Sequence, residues 1–431
     1  VNYLTGAKIA FYIDRQPFYG DKIKNHPYIC TTKDNIISMS ENLLTFSTLE
    51  LLLAGITGVL FIIQILYYLV TYARPLRAAK TAESTEQATV DKEAQPVSVI
   101  VYAHGEPEDL RNNLPVLLNQ DYPDYEVIVV NDGSDADSED ILKLFSNEYK
   151  SLYYTYVPVD TQYLSHKKLA LTMGIKAARH DILLFTEADC RPISPKWIKA
   201  MVDSYNTETD IVLGFCAYRH TKGFLHKLIA YDNLTNGLQM ISSALSHHPF
   251  TGNGRNLSYR KKLFFDHKGY SKSLNLHAGA DDLFINEVSN STNTQVQLSS
   301  DSIIEMNKIE DSGTWREMKA SRSATKRFYK GCSLTFYRME IVSYLFFGIA
   351  AISTFIAGLL GNWLLSILAG LLLIFRFTVK AFVYKKSALL LQQNPLTVWL
   401  PLLEIAQPAY DIYVRIYRMF NGKKDFTNNV A

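Results

Sequence analysis

Cysteine is scarce and scattered. Four cysteines, Cys30, Cys190, Cys216 and Cys332, stand far apart in 431 residues without a CxxC pair, which argues against a zinc site or disulfide framework and fits a reducing compartment. An excess of one charge is missing as well. Forty-four basic residues face 42 acidic ones, for a formal net charge of +2. No basic surplus is left to neutralise a phosphate backbone, so nucleic acid is excluded as a partner. No GxGxxG follows the first apolar strand, which disfavours a dinucleotide-dependent oxidoreductase. Aromatics, by contrast, are abundant, with 27 Tyr and 22 Phe, as suits a chain with both a core and a membrane interface.

Charge is absent from two long stretches. Residues 51–70 (LLLAGITGVLFIIQILYYLV) run twenty residues without one; at ~1.5 Å per residue they match a hydrocarbon core of roughly 30 Å. The segment lacks the basic n-region and short apolar core of a secretory signal. Arg74, Arg77 and Lys80 follow it, which predicts a cytoplasmic C-terminal end. Residues 341–375 are also uncharged and too long for one crossing, and Gly361-Asn362 offers a turn. Two helices are expected, 341–360 and 363–382, with Arg376 and Lys380 snorkelling toward the headgroups. The competing reading is a buried hairpin in a soluble protein. Within 396–418, Pro401, Glu404, Pro408 and Asp411 interrupt the apolar run, which favours an interfacial amphipathic helix pair over a crossing.

The expected layout follows. Residues 1–48 read as a weakly ordered extension or a mis-called start, with Met39 a natural beginning. A membrane helix spans 49–73, a solvated linker or short helical stalk 74–96, an α/β domain 97–335, a membrane helix pair 339–383, and interfacial helices with a tail 384–431.

From Val97 short apolar runs alternate with amphipathic stretches. VSVIVYA (97–103), EVIVVND (126–132), LYYTYVPV (152–159), DILLFTEAD (181–189) and DIVLGFCAY (210–218) read as strands. Helices are expected through Leu110 to Leu118, through Ile141 to Phe145, and near 166–178. Strands apolar on both faces with helices between them imply a mostly parallel sheet covered on both sides. Ligands then bind beyond the C-terminal strand ends.

Polar residues gather at those ends. Asn131-Asp132-Gly133-Ser134 follows the second strand; the Asp suits a base or ribose hydroxyl, and a capped turn is the plainer reading. Glu187-Ala188-Asp189 follows DILLFT, and two carboxylates at i, i+2 can share a hard cation with a diphosphate, or simply cap a helix. Lys167 and Lys168 open a helix, where they meet phosphate or solvent. FTGNGRNLSYR (250–260) crowds Gly252, Gly254, Arg255 and Asn256 into a loop that allows close backbone approach. Asp281 and Asp282 sit at a helix start, as capping residues or as a general base.

Together these motifs resemble the inverting family 2 glycosyltransferases of GT-A fold, over roughly residues 97–330. VSVIVYAHGEPEDLRNNLPVLLNQDYPDYEVIVVNDGSDAD is similar to their opening strand, helix, Gln-Asp-Tyr-Pro, strand and Asp-Gly-Ser, and the later motifs occur in the family's order. The resemblance implies nucleobase contacts at Ala103 and Glu106 and a base- and ribose-binding role for Asp132. It places Lys167 at the family's Gly-Lys-Ala helix start, with His166 in place of glycine. Glu187 and Asp189 fall on the Asp-X-Asp metal motif, implying a divalent metal (Mg or Mn), and Ala188 lies between them at the nucleotide-sugar site. Arg255 and Asn256 lie where a GRN loop lines the sugar or acceptor site. Asp281 and Asp282 fall in the catalytic-base motif; Ala280 stands where a triple-acid version carries another Asp, so the base is either one. In place of the Gln-X-X-Arg-Trp motif of processive synthases the chain has TWREMKASRSATKRFYKG (314–331), which brings Trp315, Lys319 and Arg322 toward the pyrophosphate and favours single-sugar transfer.

The implied function is inverting transfer from a nucleotide-sugar, a UDP-sugar, to a lipid-linked or glycan acceptor. It places the protein as multi-pass in the cell inner membrane, with its catalytic domain cytoplasmic. The alternatives are a processive polysaccharide synthase and an inactive nucleotide-sugar- or glycan-binding relative.

Overall fold

The computed structural model describes residues 46–85, 94–133, 136–158 and 165–421. The expectations for residues 1–48 lie almost wholly outside that range. Helix α1 (Thr48–Leu66) opens with a capping box between Ser47 and Glu50, runs through a π-helical turn at Tyr67–Tyr72, and is followed by α2 (Arg74–Thr85). Of the two readings of 74–96, the described part follows the helical stalk.

The α/β unit then alternates as its apolar runs demand: β1 (Val97–Ala103), α3 (Pro107–Leu118), β2 (Tyr125–Asn131), α4 (Ala136–Glu148), β3 (Leu152–Tyr156), α5 (His166–Ala177), β4 (Ile182–Glu187), β5 (Cys190–Pro192), α6 (Trp197–Val202), β6 (Ile211–Leu213) and β7 (Cys216–Tyr218). Next come α7 (Phe224–Ala244), β8 (Leu257–Arg260), α8 (Lys261–Asp266), α9 (Asp282–Val288), β9 (Thr294–Val296), β10 (Ile304–Met306) and α10 (Ser312–Thr325). Three helices close the described chain: α11 (Ser333–Leu360), α12 (Trp363–Leu390) and α13 (Leu400–Asn421).

A seven-stranded sheet has the order β3-β2-β1-β4-β8-β6-β9, and a three-stranded sheet the order β5-β10-β7. β3, β2, β1 and β4 are mutually parallel, whereas β8 runs antiparallel between β4 and β6. β1, β2 and β4 are buried almost throughout because helices lie on both faces, while the edge strand β3 buries only Leu152 and exposes Tyr153. The expected α/β class with a mostly parallel sheet is what the chain forms. One expected strand is split: 210–218 becomes β6 in the large sheet and β7 in the small one. Gly214 makes the break, since a Cβ there would lie 2.5 Å from the Asn256 side chain.

Among the described residues three helices are long and apolar enough to cross a membrane, Thr48–Ala82, Ser333–Leu360 and Trp363–Leu390. α11 and α12 are joined at Gly361-Asn362, where the Asn362 side chain caps α12. Glu50 accepts the Asn362 N–H at 3.3 Å, so the start of α1 lies beside that turn. At the other end Tyr72 Oη accepts from Gln239 of α7 at 3.2 Å. The α/β unit therefore sits at the end where α1 finishes and α11 begins. Large apolar side chains such as Ile62, Ile349 and Ile374 face outward.

Arg376 and Lys380 do not snorkel. Both are 4% exposed and point inward; Arg376 Nη1 donates to Glu404 Oε2 and Lys380 Nζ to Glu404 Oε1, each at 2.8 Å. A buried cation in apolar helices is tolerable only with such a partner. Glu404, which looked like an interruption, is that partner. It lies on α13, a single 22-residue helix following a turn at Thr397–Trp399, rather than the expected pair. Pro408 stays inside this helix because Leu403 and Glu404 before it and Val414 after it are all buried.

Candidate active site

The C-terminal ends of β1, β2 and β4 lie side by side and carry the polar residues the sequence pointed to. The Asp132 N–H donates to Ala103 O at 2.8 Å and the Ala188 N–H to Tyr102 O at 2.9 Å, which closes the strand ends. Ala103 and Ala188 are buried, and the Ala188 carbonyl accepts from Asn113 at 2.8 Å. Both sit at the strand ends, where their backbone groups help close the sheet edge. Ser134 and Asp135 of the Asp-Gly-Ser stretch lie outside the described residues.

Asp132 is surrounded by donors. Tyr102 Oη donates to Asp132 Oδ2 at 2.9 Å, His166 Nδ1 lies 2.8 Å from Oδ1, and His104 Nδ1 lies 2.8 Å from the Asp132 carbonyl. His104 and His166 were not assigned roles from sequence. The signal for His166 was its place in a position the resembled family fills with glycine.

One helical residue further on, Lys167 Nζ donates to Glu187 Oε1 at 2.5 Å. Arg255 completes the arrangement: its Nη2 lies 2.7 Å from Glu187 Oε2 and 3.0 Å from Asp189 Oδ2. The two carboxylates of the Glu-Ala-Asp motif are thus spanned by one guanidinium. Burial opposes ionisation of Glu187, but Arg255 and Lys167 outweigh it and hold its carboxyl well below the usual range. Glu106, at the start of α3, is pushed up to about 8 by burial and by the negative charges of Asp189 and Glu187.

Among the described residues no group of three or more His, Cys, Asp or Glu is set to hold a cation. Glu187 and Asp189 offer hard oxygen donors in numbers that fit a small divalent ion sharing its shell with phosphate oxygens and water. They do not form a cage of their own.

Asn256 departs from expectation. It is fully buried, its Nδ2 donates to the Phe215 and Ser302 carbonyls at 2.8 Å each, and its Oδ1 accepts from Trp197 Nε1 at 3.2 Å. With both ends of the amide engaged, it ties the two sheets together and does not line the ligand cavity. Sequence could not separate it from its neighbour Arg255, because one residue along a loop reverses the direction of a side chain.

Asp281 and Asp282 face a cavity of about 380 Å³ that Lys167, Glu187, Arg255 and Arg322 also line. Asp281 caps α9 and accepts the Gly254 N–H at 2.8 Å. A Cβ on Gly254 would lie 3.1 Å from that carboxylate, so glycine lets the loop seat on it. Burial opposes its charge, yet Lys167 and the Gly254 N–H hold Asp281 below the normal carboxylate range. Asp282 goes the other way, raised by burial and by the Asp281 charge. Its Oδ2 accepts the Thr325 and Tyr329 hydroxyls, the latter at 2.7 Å.

Of the degenerate stretch 314–331, Met318, Ser321 and Arg322 on α10 and Lys326 and Tyr329 beyond it line this cavity, whereas Trp315 and Lys319 do not. Trp315 is buried and stacked on Tyr410 at 4.1 Å, and Lys319 bridges Asp232 and Asp411 at 2.7 and 2.6 Å. Both residues fasten α13 to the α/β unit instead of reaching toward a ligand.

Lys168 is buried behind the site and donates to the Ser273 and Leu276 carbonyls, the latter at 3.0 Å. Burial lowers its ammonium from 10.5 to about 8. Between those values the unfolded chain binds the extra proton, so this residue's cost is full below pH 8 and fades as pH rises to 10.5. Unfolding of the wild type and of Lys168→Met, followed by differential scanning fluorimetry in neutral detergent, should therefore diverge. From pH 7 to 11 the wild type gains roughly 3 kcal/mol relative to the variant. A gap constant with pH would show that the lysine is not buried as a cation.

Residues 98–264 match the family model for Glycosyl transferase family 2, so the chain carries a glycosyltransferase domain of that family. The chain is 32% identical over 150 residues to the Haloferax volcanii glycosyltransferase AglE, covering 34% of this chain and 47% of the relative. It is 24% identical over 132 residues to the Staphylococcus epidermidis poly-beta-1,6-N-acetyl-D-glucosamine synthase, covering 31% of this chain and 30% of the relative. The chain thus spans about half, or less, of the length of these curated relatives. Among solved structures, a Pyrobaculum calidifontis mannosyltransferase in complex with GDP-Man and Mn2+ is 17% identical at a TM-score of 0.49, covering 79% of this chain and 99% of that one. S. aureus TarS residues 1–349 with UDP-GlcNAc is 16% identical at a TM-score of 0.38, covering 75% and 92%.

Proposed function

We propose that this family 2 glycosyltransferase of GT-A fold transfers a sugar, with inversion, from a UDP-sugar to a lipid-linked or glycan acceptor at the cytoplasmic face of the cell inner membrane. The observation that carries the reading is one polar chain along the strand ends. It runs from Asp132 through His166 and its neighbour Lys167 to Glu187, then through Arg255 to Asp189, with Asp281 and Asp282 across the same cavity. Base and ribose meet Asp132 at one end, and the acceptor hydroxyl meets the α9 carboxylates at the other.

Asp282 is the general base. Burial and the Asp281 charge raise its affinity for a proton, which makes it the stronger base of the pair, and it lines the cavity beside Arg322. The acceptor oxygen bonds to the anomeric carbon as the bond from that carbon to the diphosphate oxygen breaks. The hydroxyl proton passes to Asp282, and the diphosphate leaves with the bonding electrons. Lys167, Arg255 and Arg322 offset the charge on that leaving group. A divalent cation held by Glu187 and Asp189 with the diphosphate oxygens would add to the same stabilisation.

Uridine rests on the family resemblance. The membrane placement rests on the three apolar helices and their basic flanks. Single transfer over polymer extension rests on the degenerate stretch that replaces Gln-X-X-Arg-Trp, with Met318, Ser321 and Arg322 at the cavity.

The test is to incubate the purified full chain in neutral detergent with labelled nucleotide sugars, Mg2+ or Mn2+, and membrane lipid extract. Label passing from one donor into the organic phase is expected. Label found only in water-soluble products would refute the lipid acceptor, and no consumption of any donor would refute the activity.

A further inference from the structure

The catalytic cavity does not stop at Asp282. Asn236, Gln239, Arg322, Lys326 and Leu334 line it and also line a second cavity of about 310 Å³. The second space lies among α7, α10, α13 and the ends of α11 and α12 nearest the α/β unit. Eight basic side chains and four carboxylates line it.

The carboxylates are already committed. Asp232 and Asp411 both bind Lys319, at 2.7 and 2.6 Å, and Glu404 binds Arg376 and Lys380. Glu340 is buried and accepts from Tyr68 Oη at 3.4 Å. Arg322, Lys326, Arg338 and Arg415 make no ion pair with any described carboxylate, so the surplus of positive charge is real and local. Lys326 is half-buried, and burial lowers its ammonium below the ordinary lysine value, as befits a cation still short of a counter-charge. The same wall is partly apolar, with Leu334, Ile341 and Val414. It opens beside helices whose outer faces carry Phe346 and Ile349.

A cleft bordered by cations without an ion pair and by apolar helices suits an amphiphile with an anionic head. We propose that this second cavity holds the phosphate of a membrane-embedded acceptor. Lys326, Arg338 and Arg415 pair with that phosphate while the acyl or prenyl chain lies against α11. Because Arg322 and Lys326 border both spaces, a phosphate held here places the lipid's acceptor oxygen toward Asp282. The proposal rests on the glycosyltransferase reading above and narrows its acceptor to a phosphate-bearing lipid.

The test uses the full chain in neutral-detergent micelles and equilibrium binding of a radiolabelled long-chain alkyl phosphate. The wild type should bind it, and the triple variant K326Q/R338Q/R415Q should bind at least about tenfold more weakly, since three charge-assisted contacts to the phosphate are lost. Nucleoside diphosphate binding by the variant should stay unchanged, which shows that it is folded. Equal competition by the alkyl alcohol of the same length would reduce the cleft to an apolar groove and overturn the proposal. So would equal competition by inorganic phosphate, which makes it a free-phosphate site, or displacement by nucleoside diphosphate, which assigns the cations to the donor. Undiminished binding by the variant overturns it too. Alkyl phosphate binding that survives while no nucleotide sugar is ever consumed would remove the transferase reading and leave the anion site standing.

Discussion

Asp282→Asn should cut sugar transfer by ~10²–10⁴-fold, the range of a lost general base, while donor affinity changes by less than about twofold. The substitution keeps the size of the side chain and an oxygen to accept the Tyr329 hydroxyl, but it removes the proton acceptor. Asp281→Asn should behave differently. Its carboxylate holds the Gly254 N–H and faces the Lys167 charge, so neutralising it loosens the Gly252–Arg255 loop and the diphosphate site together. The expected signature is a higher donor KM with a smaller loss in kcat. Steady-state kinetics on both variants, with donor and acceptor varied separately, distinguishes the two roles. A dead Asp281→Asn beside an active Asp282→Asn would exchange them.

Much of this site was legible because strand ends announce themselves. A continuous apolar run followed by Asp132, or by Glu187 and Asp189, fixes where a parallel sheet presents polar groups, whatever the loops do. Asp281 and Asp282 were legible as a pair but not as individuals. Their difference comes from which one faces Lys167 and the Gly254 N–H and which is buried beside the other's charge, against hydroxyls more than forty residues later in the chain. Asn256 was misread for a related reason. Its burial between the sheets depends on Phe215, Trp197 and Ser302, none of which is close to it in sequence. Arg376, Lys380 and Glu404 show the limit most plainly. As single charges they look like edges of apolar segments, and only the docking of α13 against α12 turns them into a buried cluster.

Arg255→Gln should have opposite effects on two measurements. In the wild type the guanidinium spans Glu187 and Asp189 at 2.7 and 3.0 Å, so a divalent cation approaching that pair meets a positive charge already bonded to both. A diphosphate changes the balance by offering Arg255 an alternative anion and the cation extra oxygens. Mn2+ should therefore bind the nucleotide-free wild type weakly and bind much more tightly once a nucleoside diphosphate is present. Removing the guanidinium frees Asp189 and leaves Glu187 with Lys167 alone, and with charge-assisted bonds worth ~1.5–3 kcal/mol each, nucleotide-free Mn2+ affinity should rise by roughly 10–100-fold. Transfer should nonetheless fall by ~10²–10³-fold, because a preorganised cation facing the leaving group is lost. Electron paramagnetic resonance of free Mn2+ reads the first quantity without any turnover, and Asp189→Asn in the same titration should abolish the tight phase. If Arg255→Gln leaves Mn2+ affinity unchanged, the guanidinium does not compete for the pair, and the cation is held elsewhere.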